Sequence, residues 1–516
     1  MATTPTTNLD TLASWGTETL LALVAIDSSS DEKSPTIPSS EGQRVLSRAL
    51  AERASALGFG CDTDAHANLI VRIPASPGRE GAPTIALMAH IDTSHGTKAL
   101  PRLAVLERWS GGRVPYGANP RLHVDAESYP LLRAFVGDDL LYGPGDFPFG
   151  LDDKLGIAEM LTLARLLAAE PALPHGEILL VFRPDEEIGR MEAVHGLAKA
   201  LAERGVAFGY TIDGLEPFEI NVENFEAAKA RVSIVGRPLA LSPRPRHALR
   251  LAINGVNTHG ATAKSEGYLN ATVVFARALA ERSDVVPLSF VTDPLLECNA
   301  TVELLVDEGA EGAVLAAFEQ VVGPARRRGA DVRVLARGFE VQRSDDAARR
   351  LLELLLAFLA PGGPSPLLSE DSEGYQGYSN PHRALPTDAG MAVDFRLRDF
   401  DEAALGVRTR HVEQCAARCG LPVESARQYV NMGPVLARYP DLPRFAEEAA
   451  RAAGVEGRRR PIRGGTGVDP FLAVNVPIAN LGTGYFAPES EKELTSKQNI
   501  ARHVLWLAHL VQHIAS

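Results

Sequence analysis

The sequence predicts an α/β protein with a largely parallel central sheet, interrupted by an inserted α+β segment. Three observations predict it. Over the first 220 residues, short continuous apolar runs alternate with segments of helical period, the pattern of strands buried on both faces and joined by helices. From about Asn221 the runs turn to period-two alternation, which suits a half-exposed antiparallel sheet. From Leu442 the first style returns and ends in a helix. The boundaries are drawn at 1–220 and 433–516 for a split α/β domain, and at 221–432 for the insert.

The elements follow in order. Ser40-Glu41-Gly42-Gln43 has the form of a capping box, so a helix is expected behind it, with Leu46, Leu50, Arg53 and Leu57 at helical spacing and Gly58 as its stop. Strands are expected at 68–73 and 84–89, the second running directly into His90. A Pro- and Gly-punctuated stretch fills 93–150. Helical period returns at 154–169, with Ile157, Leu161, Ala164 and Leu167 on one face. A strand at 176–182 ends in Arg183-Pro184-Asp185-Glu186-Glu187; after a further helix, Tyr210-Thr211-Ile212 feeds Asp213. In the insert, strands at 230–235 and 249–253 flank a Pro-rich loop at 238–247. Helices are expected at 269–283 and 345–360, then a loop at 361–366, a strand at 391–397 and a helix from about 402 to 419. The last helix runs from about 500 to 514.

Composition bounds the function classes. The chain has 516 residues, 45% hydrophobic and 23% charged, which is ordinary for a globular protein with a sizeable core. A net charge of −13 argues against nucleic acid or an anionic membrane as partner. Four scattered cysteines, Cys61, Cys298, Cys415 and Cys419, are too few for a disulfide framework and indicate a reducing compartment. Cys415 and Cys419 are spaced to share a helix face, and a structural role is the simpler reading. The N-terminus lacks a basic region and an apolar core, and the longest apolar stretch, Leu351 to Ala360, contains Glu353 and is about half a membrane span. A cytoplasmic location is expected.

Five separated positions carry the chemistry: His90-Ile91-Asp92, Asp152-Asp153, Asp185-Glu186-Glu187, Asp213 and Glu489. Four of the five lie where apolar runs end, which is where a parallel sheet delivers side chains to a shared crevice. Zinc-type sites take imidazole and carboxylate ligands, and two-metal sites hold their ions ~4 Å apart. A base must then accept a proton from water. Taken singly, each signal has a plainer reading: a turn for His-x-Asp, a solvated acidic turn for 185–187, and a capped turn for Asp213. Their order and strand-end placement together point to a metal-dependent hydrolase.

The motifs carry a resemblance. Ser-Ser-Glu-Gly-Gln (39–43), Ala-His-Ile-Asp-Thr-Ser (89–94), Asp-Asp-Lys-Leu-Gly (152–156), Pro-Asp-Glu-Glu-Ile-Gly (184–189) and Val-Glu-Asn-Phe (222–225) come in one order. His-Gly-Ala-Thr-Ala-Lys (259–264), Glu-Gly-Tyr-Gln-Gly (373–377), Arg-Asp-Phe-Asp (398–401) and Pro-Ile-Arg-Gly-Gly-Thr (461–466) continue it. The chain thereby resembles peptidase T, the aminotripeptidase branch of the M20 metallopeptidases, over nearly its whole length. The resemblance implies an M20-type catalytic domain, with the insert as a lid that also serves dimerisation. It implies that His90, Asp152 and Asp213 hold one metal and that Asp152 bridges to a second held by Glu187. Asp92 would fix the tautomer of His90, Glu186 would be the general base, and His259 would stabilise the oxyanion. Arg398, Arg463 and Asn257 would bind substrate. Two divalent ions are implied, zinc first, with manganese or cobalt as alternatives.

The pattern departs from that family in two places. Where peptidase T closes its ligand set with a histidine, the segment Gly484-Tyr-Phe-Ala-Pro-Glu-Ser-Glu-Lys-Glu493 has Glu489. His503, inside the final helix, is a poor replacement. One histidine with four carboxylates cancels the charge of two divalent ions, which favours harder, oxygen-loving metals such as Mn²⁺. The family also has Asp directly after the Thr of Arg-Gly-Gly-Thr, where this chain has Gly467-Val468-Asp469. The leading expectation is a dinuclear hydrolase cleaving an amide bond in short peptides or N-acyl amino acids. The alternative is a catalytically degenerate relative that binds peptides or acts as a partner protein.

Overall fold

The computed structural model describes residues 4–239, 241, 244–257, 267–341, 345–364 and 377–516. The chain opens with α1 (Leu9–Val24), α2 (Glu41–Ala56), β1 (Gly60–Thr63), β2 (Leu69–Ile73), β3 (Ile85–His90), β4 (Ala104–Leu106), β5 (Leu140–Tyr142), α3 (Leu151–Ala169), β6 (Ile178–Arg183), α4 (Glu192–Glu203), β7 (Phe208–Gly214) and β8 (Glu219–Asn221). It continues with β9 (Glu226–Val235), β10 (Arg246–Asn254), α5 (Ala271–Leu279), β11 (Val285–Thr292), β12 (Ala300–Asp307), α6 (Glu311–Val322), β13 (Asp331–Arg337), α7 (Ala347–Phe358), β14 (Tyr378–Thr387), β15 (Gly390–Asp399), α8 (Glu402–Arg418) and β16 (Val423–Tyr429). It closes with α9 (Gly433–Leu436), α10 (Asp441–Ala452), β17 (Arg458–Arg459), α11 (Asp469–Ala473), β18 (Ile478–Gly482), β19 (Leu494–Ser496) and α12 (Lys497–Ile514). Two compact units result. One holds Met1–Pro120, Val124–Asn224 and Asn431–Ser516; the other holds Arg121–His123 and Phe225–Val430.

The first unit is built on an eight-stranded sheet of order β1-β2-β6-β3-β7-β18-β8-β17. Its middle strands β6, β3, β7 and β18 are mutually parallel, while β1, β2 and β8 pair antiparallel towards the edges. Every residue of β3 and β6 is buried, as continuous apolar runs covered on both faces must be. Helices α1, α3 and α12 pack on one another. Gly156 of α3 sits so close to β7 that a Cβ there would lie 2.1 Å from the Ile212 carbonyl oxygen. Only glycine lets the helix that follows Asp152 pack this tightly on the strand that carries Asp213.

The second unit holds two four-stranded sheets, β11-β12-β10-β13 and β14-β15-β9-β16, whose described pairings are all antiparallel. Along β12 buried residues alternate strictly with more exposed ones, the half-exposed pattern expected of the insert. Strands β11, β12, β13, β14 and β16 and helix α6 add to the elements read from sequence. The longest apolar stretch proves to be α7, which buries Leu351, Leu354, Leu355 and Phe358 in this unit's core. Among the described residues, no helix is long and apolar enough to cross a membrane. All four cysteines are free.

One local expectation fails. Ser40 is the N-cap residue of α2, but its side chain makes no capping bond. Gln43 turns away from the helix end and donates to Asp185 Oδ1 at 2.7 Å and to Ser39 Oγ at 3.1 Å. A fully buried carboxylate needs donors from the protein, whereas a helix end can be satisfied by water. The buried face of α2 also runs through Leu46, Leu50 and Ala54 and leaves Arg53 exposed.

Candidate active site

Parallel pairing brings the chemistry to one edge of the sheet. His90, the last residue of β3, is in register with Arg183, the last residue of β6, and Met88 is in register with Thr211, two residues before Asp213. The chain leaves these strands in the same direction, so their final side chains share a crevice. His90 is buried, with Nδ1 2.9 Å from the backbone oxygen of Asp92 and 3.4 Å from its carboxylate. A carbonyl oxygen can only accept, so Nδ1 donates and Nε2 is turned to Asp152 Oδ1 at 2.9 Å and Asp213 Oδ1 at 3.6 Å. The Asp92 carboxylate in turn accepts the backbone N–H groups of Glu186 at 2.9 Å and Glu187 at 3.1 Å.

Two groups of ligand atoms form, each with all its atoms within 4.8 Å of one another: His90, Asp152 and Asp213, and Asp152, Glu187 and Glu489. Asp152 stands in both. Glu489 therefore lies beside Asp152 and Glu187, with its backbone in the left-handed region at φ 56°. Its segment is held by Glu493. That carboxylate accepts the Glu489 N–H at 2.9 Å through Oε1, and those of Phe149, Gly150 and Leu151 at 2.8, 2.9 and 3.4 Å through Oε2. One buried side chain thus ties the start of α3, where Asp152 sits, to the loop bearing Glu489.

The electrostatics follow from burial. Burial opposes a charged His90, yet the carboxylates of Asp152, Asp213 and Asp92 raise its pKa well above the usual range. Burial and the neighbouring carboxylates push Asp152 up to about 6 and also raise Asp153, Glu187 and Asp213. Glu186 is raised by burial, against the opposing charges of Arg183 and His90. Burial also pushes Glu493 up to about 8. Carboxylates that mutually disfavour ionisation are a donor set suited to divalent cations. One imidazole with four carboxylates in two overlapping groups fits zinc-like ions.

The remaining expected residues are spread more widely. Arg463 is buried in the first unit. Arg398 belongs to β15 in the second, where its guanidinium donates to the backbone oxygens of Ala228 and Leu397 and to Gln428 and lies over Tyr429. Asn257 follows β10 and is half-buried. His259 lies outside the described residues. His503 is stacked on Phe218 in the core, its Nδ1 facing the Asn499 carbonyl oxygen and its Nε2 accepting the Phe218 N–H, so it takes no part in either ligand group.

Several residues at this centre were given no role of their own from sequence. Asp185, fully buried with φ 56°, accepts from the Ser39 N–H and Oγ and from Gln43, which anchors the turn carrying Glu186 and Glu187 to the start of α2. Arg183 is fully buried next to Glu186, and the Tyr485 hydroxyl is buried in the field of the same carboxylates. For Glu493 a signal existed, since it closes the Glu489 segment; for Arg183 it was the charge at the end of an apolar run.

Comparison with known proteins identifies the family. The model of peptidase family M20/M25/M40 matches residues 130–513. Peptidase T of Halothermothrix orenii is 32% identical over 476 residues, covering 90% of each chain. Peptidase T of Aeromonas hydrophila is 26% identical over 503 residues, covering 96% of this chain and 97% of its own. Among solved structures, aminopeptidase PepT from Bacillus cereus superposes with a TM-score of 0.51 at 17% identity, over 98% of this chain and 99% of that one. Aminoacylhistidine dipeptidase from Vibrio alginolyticus does so with a TM-score of 0.55 at 15% identity, over 98% of both chains. The chain belongs to peptidase family M20/M25/M40, in its peptidase T branch, and is a metal-dependent peptidase.

Proposed function

We propose that the protein is a dinuclear aminopeptidase acting on short peptides, with N-acyl amino acids as the competing substrate class. The observation that carries this reading is the double membership of Asp152 in two ligand groups, His90–Asp152–Asp213 and Asp152–Glu187–Glu489. Under it His90, Asp152 and Asp213 would hold one divalent ion and Asp152, Glu187 and Glu489 a second, zinc first and manganese or cobalt as alternatives, with Glu489 in the place of the family's last histidine. When bound, such ions lower the pKa of water and polarise a carbonyl.

The chain's own residues do the rest. Glu186 accepts a proton from the attacking water and passes it to the leaving amine. Its backbone is fixed by Asp92, which also keeps the proton of His90 on Nδ1 and so leaves Nε2 to the metal side. Arg398, Arg463 and Asn257 bind substrate, the arginines because a guanidinium fork suits a carboxylate. His259 is proposed as the oxyanion donor. The insert is proposed as a lid and dimer-forming domain.

Metal analysis with peptide hydrolysis tests the reading. Two ions per chain are expected in the parent, and about one in Glu489→Ala, with the site of His90, Asp152 and Asp213 retained. Glu489→His should restore two ions with tighter zinc binding. Identical stoichiometry in all three proteins would remove Glu489 from the ligand set. Cleavage of free tripeptides but not of N-acetylated ones is the expected mark of an aminopeptidase, and the reverse would assign a deacylase.

A further inference from the structure

Arg183 is a buried cation that the reaction outlined above does not use. Its side chain is fully buried at the end of β6, in register with His90. Nη2 donates to the Thr466 backbone oxygen at 2.8 Å and lies 3.7 Å from Glu186 Oε1. Nε and Nη1 have no hydrogen-bond partner among the described residues. Withdrawing a guanidinium from water is costly unless a carboxylate compensates it, and among the described residues the carboxylate within ion-pair reach is that of Glu186.

The opposite wall of this niche is Gly467. A Cβ there would lie 2.5 Å from both Nη1 and Nη2, and the backbone has φ +55°. Room for the guanidinium therefore depends on glycine at this position, where the resemblance leads one to expect aspartate. A buried arginine and the glycine that admits it form one local device, 284 positions apart in the chain (467 − 183). The device also brings one positive charge to a centre that Glu489 makes more negative.

We propose that Arg183 is a positioning residue for the peptidase reaction: its guanidinium holds the Glu186 carboxylate in the orientation for proton transfer and anchors it to the Thr466–Gly467 segment. This inference rests on the reading of Glu186 as the base. The Glu186 backbone is already held by Asp92, so Arg183 supplies a second, side-chain point of attachment. A carboxylate fixed at both ends keeps its distance to the attacking water, and proton transfer is sensitive to that distance.

The test uses metal-loaded, full-length protein and an unblocked tripeptide. Arg183→Met should lower kcat about 10- to 100-fold, with KM within about threefold of the parent and unchanged metal content. Arg183→Lys, which keeps the charge but not the fork, should recover part of the loss. Gly467→Ala should lower kcat in the parent and have no further effect in Arg183→Met. The double variant Arg183→Met/Glu186→Gln should be no slower than Glu186→Gln alone, because both act on one proton transfer. Parental kcat in Arg183→Met, or a double variant slowed by the product of the single losses, would overturn the inference while leaving Glu186 as base. Glu186→Gln at parental kcat would overturn the base reading and this inference with it. If Arg183→Met fails to fold, Arg183→Lys and Gly467→Ala decide, and parental kcat in both counts against the proposal.

Discussion

Two clusters of buried charge, one in each unit, meet burial in opposite ways. In the inserted unit, Glu297 is met by His382 Nδ1 at 2.7 Å, Arg396 Nη2 at 3.3 Å and Arg383 Nη1 at 3.8 Å. Burial raises its pKa, but His382 and the two arginines more than offset that and hold it below the usual carboxylate range. In the α/β unit, Asp152, Asp153, Glu187 and Asp213 face one another and are all raised. The first cluster is complete within the chain. The second is built for positive charge from outside it, which is why carboxylates alone do not mark a site and mutually raised ones do.

The comparison is most exposed to metal removal. Stripping divalent ions with a chelator should cut peptide hydrolysis more than about 100-fold and lower the melting temperature, because ions that bind the folded state alone stabilise it. Re-addition of zinc, manganese or cobalt should restore both. A chelated protein with full activity would break the contrast. Glu297→Ala, by comparison, should leave metal content unchanged and destabilise the fold by about 2 kcal/mol in denaturant titration. That is below the range for a fully buried pair, since about a quarter of the side chain is exposed. A change in metal content would contradict the independence of the clusters.

A third place, at His503 on α12, sharpens the contrast, because the carboxyl group 3.8 Å from its Nδ1, that of Glu159, is itself raised well above its usual range by burial. Burial pushes His503 down to about 3 against the opposing pull of the Asn499 carbonyl. Its folded pKa lies below its unfolded value, so the unfolded chain takes the proton first. The stability it contributes is complete above about pH 6.5 and is lost as pH falls towards 3. Between pH 7 and pH 5 the parent should lose about 2 kcal/mol more than His503→Gln, read from urea midpoints. An equal loss would show that the imidazole charges freely in the fold. Nearby, both carboxyl oxygens of Glu159 are buried without a hydrogen-bond partner, and burial holds the group protonated. Glu159→Met should therefore stabilise by about 1 kcal/mol, the smallest effect of the set. Destabilisation would reveal a role for that carboxyl group.

Much of the fold was legible because burial writes itself into periodicity. Continuous apolar runs marked β3 and β6, and the polar residues that end them, His90 and Arg183, are in register at the edge where the ligands gather. In the insert, β11 and β12 escaped notice although their burial alternates, because half-exposed positions there include Leu305 and Val286 as well as polar residues.

By itself, then, the sequence determined the α/β class and the interrupted middle, and it pointed to His90, Asp152, Glu187, Asp213 and Glu489 as candidate ligands, which the fold gathers into two overlapping groups. The tertiary structure decided what holds these residues in place. Gln43 serves Asp185 across 142 positions, Glu493 clamps Gly150 across 343, and Arg183 reaches Thr466 across 283. Local pattern encodes which side of an element is buried. It cannot encode which buried group another will meet, because that partner is chosen by the folded chain's need to satisfy every polar atom it withdraws from water.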